Sequence, residues 1–286
     1  MSSVIAPQQT ATSAVLHTAD SQVELADRAL PVRFYGRRPT RGAVPLVLHL
    51  HGGQFVSGGL DSGARIAKLL AEAGAVVASL AYPLAPAHPF PQAIEAAHAT
   101  LDWLYKRRSK LAGPGAEVWI AGEEAGGNLA AAVALMARDQ AHPPLVGQIL
   151  LSPMLDTCVA TASARDAHAG PVGCRWADGW HSYLARPADA THPYAAPGQA
   201  MRLAGLPPTL LVTAQDDVLR DETQAFAQRL REAGVPVHNA VIESATGWPC
   251  SLMCPDAQHE NGVLPWADAV REQVRQFFAQ RPAAAA

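Results

Sequence analysis

The sequence predicts an α/β protein built on a mostly parallel sheet with helices on both faces. Three observations carry that expectation. Short apolar runs alternate with helical periodicities along most of the chain, as successive β-α-β units require. Some of those runs, such as Ala75 to Ala81, are apolar at every position but Ser79, as strands buried on both faces largely must be. Between one run and the next helix lies Gly122-Glu123-Glu124-Ala125-Gly126, a Gly-x-x-x-Gly spacing whose small residues allow a chain to reverse sharply from strand to helix.

Taken in order, Pro45 to Leu50 forms a strand that ends at His51-Gly52-Gly53. Ala64 to Ala73 has helical spacing through Ile66, Leu69, Leu70 and Ala73, and Gly74 suits the position just past its end. Ala75 to Ala81 is the next strand. Pro91, a good first helical residue, opens a helix with Ile94, Ala97, Leu101 and Leu104 on one face. Glu117 to Ala121 is a strand, Asn128 to Arg138 a helix and Leu145 to Leu151 a strand. Thr209 to Ala214, the helix Asp221 to Ala233 and Val237 to Ile242 continue the alternation. Trp266 to Ala279 closes it, with Val270, Val274, Phe277 and Phe278 on one stripe. Residues 1–22 read as a loose arm or a short lid helix, and Pro282 to Ala286 as a frayed end.

Two stretches interrupt the rhythm. Residues 157–206, with Trp176, Trp180 and Tyr183, are too long for a simple crossover and read as a lid. Residues 247–264 form a second long loop. One domain of 286 residues with such a lid accounts for the whole chain.

Composition narrows the function classes. A formal net charge of −3 provides no basic face for nucleic acid or an anionic membrane. No run of eighteen apolar residues and no basic-then-apolar opening is present, so the expectation is a cytoplasmic protein acting on a small molecule. Cys250 and Cys254, with His259 nearby, lack the second pair of a tight zinc site and read as loop residues. No phosphate-binding or dinucleotide glycine pattern occurs, so neither metal nor cofactor is implied.

Four segments in order resemble the hormone-sensitive-lipase-like esterases. His51-Gly52-Gly53-Gln54-Phe55 resembles their His-Gly-Gly-Gly motif, and Tyr82 to Pro91 their Tyr-Arg-Leu-Ala-Pro-Glu segment. Gly122 to Asn128 is similar to their nucleophile elbow, and Asp217-Val218-Leu219-Arg220-Asp221-Glu222 to their acid-bearing segment. The resemblance implies an α/β-hydrolase fold with an eight-stranded, mostly parallel sheet and a small lid. It also implies an oxyanion hole from the backbone of Gly52, Gly53 and Ala125, and a triad acid at Asp217. His51 and His88 take scaffolding and turn roles by the same comparison, and Asp216 is the alternative acid. Dimerisation through the last strand and helix is common in that family, although the sequence carries no sign of it.

The departures are chemical. Glu124 stands where that family has its serine, and the expected histidine falls at or beside Gly247, where there is none. Gln54 brings a bulky amide to the third motif position, and Trp248 sits beside the missing histidine. A serine esterase needs an activated hydroxyl, a base and oxyanion donors as one unit. Three readings follow. Glu124 acts as an acid or base in a non-hydrolytic proton transfer. Alternatively the protein is a binding module, as hormone receptors of that family lacking the histidine are. In the third, Glu124 is a hydrolytic nucleophile working with Asp217 and His259. The first two are the leading expectation and an atypical hydrolase is the alternative. In each, a small hydrophobic or acyl-bearing ligand meets Gln54, Trp176, Trp180 and Trp248.

Overall fold

The structure is a computed structural model and describes residues 16–165, 172–253 and 264–280. Its centre is one eight-stranded sheet in the order β1-β2-β4-β3-β5-β6-β7-β8. The six strands β3 (Leu46–Leu50), β4 (Val76–Leu80), β5 (Val118–Glu123), β6 (Gly147–Leu151), β7 (Thr209–Ala214) and β8 (Val237–Ile242) run parallel. β1 (Thr18–Glu24) and β2 (Ala29–Tyr35) form an antiparallel hairpin added to the β4 edge.

That hairpin corrects the expectation of a loose arm over residues 1–22, since residues 18–22 pair with Pro31 to Tyr35. β1 lacks an apolar pattern because all but one of its residues are exposed. Its order comes from ladder hydrogen bonds, which leave no trace in hydrophobic periodicity.

The inner strands separate two cores by alternation. In β3, Leu46, Leu48 and Leu50 face one cluster and Val47 the other. The first cluster is covered by α2 (Gln92–Ala112) and α3 (Ala125–Asp139), whose buried faces are rich in alanine. The second lies under α1 (Ala64–Glu72) and α8 (Ala267–Ala279), where Trp119 of β5 meets Phe277 and Phe278 edge-on. α6 (Arg220–Glu232) connects β7 to β8.

Two segments expected to be irregular contain helices. Residues 157–206 hold α4 (Ala162–Arg165), α5 (Val172–Tyr183) and two 3₁₀ turns. On α5, Trp176, Trp180 and Tyr183 fall at helical spacing and all three are buried. A short α7 (Cys250–Met253) occupies part of the 247–264 loop. Cys254 and His259 lie outside the described residues. No described helix is long and apolar enough to cross a membrane. No three described His, Cys, Asp or Glu residues cluster as a metal site would require.

The crossing of α3 over β3 fixes where the elbow sits. A Cβ on Gly126 would meet the carbonyl oxygen of Leu50 at 2.0 Å and that of His51 at 2.5 Å. Only glycine permits this approach. Gly126→Ala is therefore expected to destabilise the fold by about 3 kcal/mol, despite alanine's helix preference of about 1 kcal/mol. Urea unfolding of the variant measures this, and an unchanged midpoint would contradict the close approach.

Candidate active site

β5 runs directly into α3, and the residue at the junction is Glu124, with φ 51° and ψ −115°. A residue with a side chain is held in this left-handed backbone region only when its surroundings enforce it. Here the Glu124 amide donates to the Leu151 carbonyl, and its own carbonyl accepts from Met154 and Asn128. The side chain is thereby projected over the first turn of α3.

Every polar neighbour of the Glu124 carboxylate is a donor. Oε2 accepts from the backbone N–H of Gly53 (2.7 Å), Gln54 (3.0 Å) and Ala125 (2.7 Å). Oε1 accepts from Gln54 Nε2 (3.0 Å) and Trp176 Nε1 (2.9 Å). The group is fully buried, and among the described residues no salt bridge reaches it. One oxygen therefore meets three backbone N–H groups, and the other faces two side-chain donors, one from the loop after β3 and one from α5.

The predicted hole is corrected in one member. Gly53 and Ala125 donate to Glu124, whereas the Gly52 N–H turns to Glu123 Oε1 at 3.1 Å, and the third backbone donor is Gln54. Glu123 is the cause. Its other oxygen meets His49 Nε2 at 2.7 Å, and His49 Nδ1 meets Ser79 Oγ at 2.9 Å, all three residues being fully buried. This line of polar groups on the α1 face braces the loop from beneath. The motif comparison missed it, although a histidine in the middle of the apolar run Leu46–Leu50 was a signal.

The remaining predicted residues divide. His51 is a scaffold: its Nδ1 donates to the Gly52 carbonyl, its ring stacks on Tyr82, and Tyr82 donates its hydroxyl to the His51 carbonyl. Burial pushes the His51 imidazole below its usual range. His88 is exposed and bonded to Gln92 within its turn. Trp176 touches Glu124, whereas Trp180 packs with Tyr183 around Phe55. Trp248 does not join this set: it packs edge-on against Trp266 in the α8-side core, where an indole gains more from burial than at a polar site. His259 lies outside the described residues.

Asp217, at the triad-acid position, follows β7 and accepts from the Thr213 hydroxyl (2.6 Å) and the Leu219 N–H (2.9 Å). Its neighbour Asp216 accepts from the backbone N–H of Thr246 and of Gly247, so it ties down the loop where the histidine was expected. Burial pushes the Asp217 carboxyl above its ordinary 3.8. An acid whose folded value is raised takes up protons on folding, so its contribution to stability falls as pH rises through that window. Asp217→Asn should therefore gain in melting temperature relative to the wild type as pH increases from about 4 to about 8. Parallel shifts of the two proteins would contradict the buried, raised acid.

Comparison with known proteins overturns the leading functional expectation. Residues 47–246 match the family model described as alpha/beta hydrolase fold. Carboxylesterase NlhH of Mycobacterium tuberculosis is 36% identical over 215 residues, covering 73% of this chain and 67% of that protein. The arylesterase of Saccharolobus solfataricus is 32% identical over 225 residues, covering 77% and 72%. Among solved structures, a thermostable esterase from Pseudomonas putida superposes with a TM-score of 0.80 at 27% identity, over 96% of this chain and 86% of that one. A non-hydrolytic enzyme or a binding module does not fit relatives that are named esterases at this similarity. Fold, motif order and these relatives agree that the chain belongs to the alpha/beta-hydrolase-fold family, among its esterase-like and lipase-like members.

Proposed function

We propose that the protein is a hydrolase of small apolar carboxylic esters in which the Glu124 carboxylate takes the place of the serine hydroxyl. It would then be a member of its family without the serine nucleophile and without the histidine at the usual position. The observation that carries this reading is that Glu124 Oε2 accepts from three backbone donors while Oε1 accepts from side chains alone, Gln54 Nε2 and Trp176 Nε1.

The chemistry follows from that placement. Oε1 attacks the electrophilic carbon of the ester, and the leaving group departs with the bonding electron pair. A glutamyl intermediate remains on Glu124. Water then adds to the Glu124 carboxyl carbon, giving its proton to a base, and the electron pair moves onto Oε2. That oxygen already sits in the hole, so the donors stabilise this second oxyanion without rearrangement. Collapse breaks the bond from the carboxyl carbon to Oε1, the product leaves on that oxygen and takes the proton back from the base, and the water oxygen stays in the carboxyl, which loses its remaining proton to solvent. The base in this reading is His259, oriented by Asp217, as in other nucleophile–base–acid sets. The esterase names of the relatives support the overall reaction, and the apolar surroundings of Phe55, Trp180 and Tyr183 support an apolar substrate.

Base release in a pH-stat, with the ethyl, p-nitrobenzyl and p-nitrophenyl esters of butyric acid, tests the reading. The wild type should turn over at least one of them, and Glu124→Ala should lose on the order of 10⁴-fold or more. Wild-type rates at background, or an equally active variant, would remove the proposal. His259→Gln should stall the second half-reaction. Intact-protein mass spectrometry should then find a substrate-derived group accumulated on Glu124, and rapid turnover without any adduct would remove His259 from this role.

A further inference from the structure

The donors around Glu124 leave its carboxylate no open position from which to attack, given that Glu124 is the nucleophile as proposed above. An ionised carboxylate offers about four acceptor positions over its two oxygens. Oε2 takes three backbone N–H groups, and Oε1 takes Gln54 Nε2 at 3.0 Å and Trp176 Nε1 at 2.9 Å. Whichever carbon of an ester is attacked, a lone pair of Oε1 must first be uncovered. One of the two side-chain donors therefore has to leave, and their surroundings differ.

Trp176 is the fixed partner. It is 1% exposed, lies on the buried stripe of α5 with Trp180 and Tyr183, and carries its single N–H on a rigid ring. Leaving Oε1 would strand that N–H in the interior, which is costly. Gln54 is 9% exposed, and its amide sits at the end of a flexible side chain. Only that side chain is free to turn. The Gln54 backbone N–H is held on Oε2 at 3.0 Å, and its φ of 50° is one that residues with a side chain seldom adopt. Gly179 of α5 presses on the same backbone, since a Cβ there would meet the Gln54 carbonyl oxygen at 2.6 Å. The main chain is thus pinned beside the nucleophile while the amide can swing.

A bound ester supplies the amide with a new acceptor. The carbon under attack must come within roughly 3–3.5 Å of Oε1, and the carbonyl oxygen of the ester arrives with it. Nε2 already stands 3.0 Å from Oε1, so a side-chain rotation brings it to that oxygen. Trp180 Nε1 and Tyr183 Oη are buried and unpartnered beside Phe55, but among the described residues neither bonds to Glu124. We infer that Gln54 is a catalytic donor that passes its amide hydrogen bond from Glu124 Oε1 to the carbonyl oxygen of the substrate. Trp176 stays on Oε1, and no covalent bond to hydrogen changes in the exchange. The nucleophile is uncovered only when a carbonyl is present to take the N–H. That oxygen gains negative charge in acyl and in alkyl attack alike, so the donor serves either. The substrate class is accordingly a neutral ester with an accessible carbonyl oxygen.

Thiono esters, in which sulfur replaces the carbonyl oxygen, test the inference because sulfur is a weak hydrogen-bond acceptor. The butyrate ester that the wild type hydrolyses best is compared with its thiono counterpart, in the wild type and in Gln54→Met. That variant keeps the side-chain length and loses the donor. It should lower kcat for the oxygen ester on the order of 10²-fold with KM little changed, as loss of one donor to a developing anion does. Turnover of the thiono ester should hold or rise, because Oε1 is no longer covered by the amide. A merely structural role for Gln54 would lower both rates together, and that result overturns the inference. So does a preference for oxygen that narrows in Tyr183→Phe or Trp180→Phe but not in Gln54→Met. A measurement on the wild type needs no variant enzyme. Dipropyl ketone has the shape of ethyl butyrate but cannot be hydrolysed, and at inhibiting concentration it should shift the nitrogen resonance of the Gln54 side-chain amide. An unchanged resonance overturns the inference and leaves ester hydrolysis by Glu124 standing. Absence of Glu124-dependent turnover for every ester would remove the hydrolase reading, and this inference with it.

Discussion

The site depends on a buried carboxylate held by N–H groups alone. Removing an ion from water costs several kcal/mol even after relaxation, and among the described residues no cation pairs with Glu124 to offset it. Five hydrogen bonds to an ionised acceptor, each contributing about 1.5–3 kcal/mol, outweigh that cost. The position at the start of α3 adds the favourable end of the helix dipole. The donors come from separate parts of the chain: the loop after β3, the first residue of α3 and Trp176 of α5. The carboxylate therefore organises the site as well as occupying it, because each of these segments is positioned in part by bonding to Glu124.

A second buried carboxyl makes this arrangement possible. Glu123 draws the Gly52 N–H and His49 to itself, which rotates the loop so that Gly53 and Gln54 face the neighbouring Glu124. Two adjacent glutamates at the end of one strand thus serve opposite faces. One supports the loop from the α1 side and the other receives its donors from above. The alternation of side chains along a strand end, continued into the sharp elbow, is what separates them.

The same geometry recasts what a carboxylate means at this position. At a serine centre the hole waits for the substrate's oxygen. Here Glu124 Oε2 already accepts from three backbone N–H groups, and in the proposed reading the oxyanion they would stabilise is the one formed when water opens a glutamyl intermediate. An intact hole and an absent serine are therefore compatible with hydrolysis, in agreement with the esterase relatives. Arguing from residue types alone, a glutamate beside oxyanion donors looks like an obstruction. The obstruction disappears once the two carboxylate oxygens are seen to have different partners.

Much of the architecture was legible in order along the chain. The inner strands and major helices follow from apolar runs and 3.6-residue spacing, since burial on both faces of a parallel sheet imposes that pattern on residues such as Val76 to Leu80. The elbow was legible because only glycine fits at Gly126 against Leu50. The exposed hairpin β1–β2 was not, because backbone ladders order it without apolar periodicity. Nor were the helix α5 and the choice of Gln54 over Gly52 as a donor. Sequence by itself determined the fold class and the presence of Glu124 at the turn between β5 and α3. Only the tertiary structure decided which N–H meets which oxygen, because hydrogen-bond direction depends on loop rotation and on contacts more than fifty residues apart.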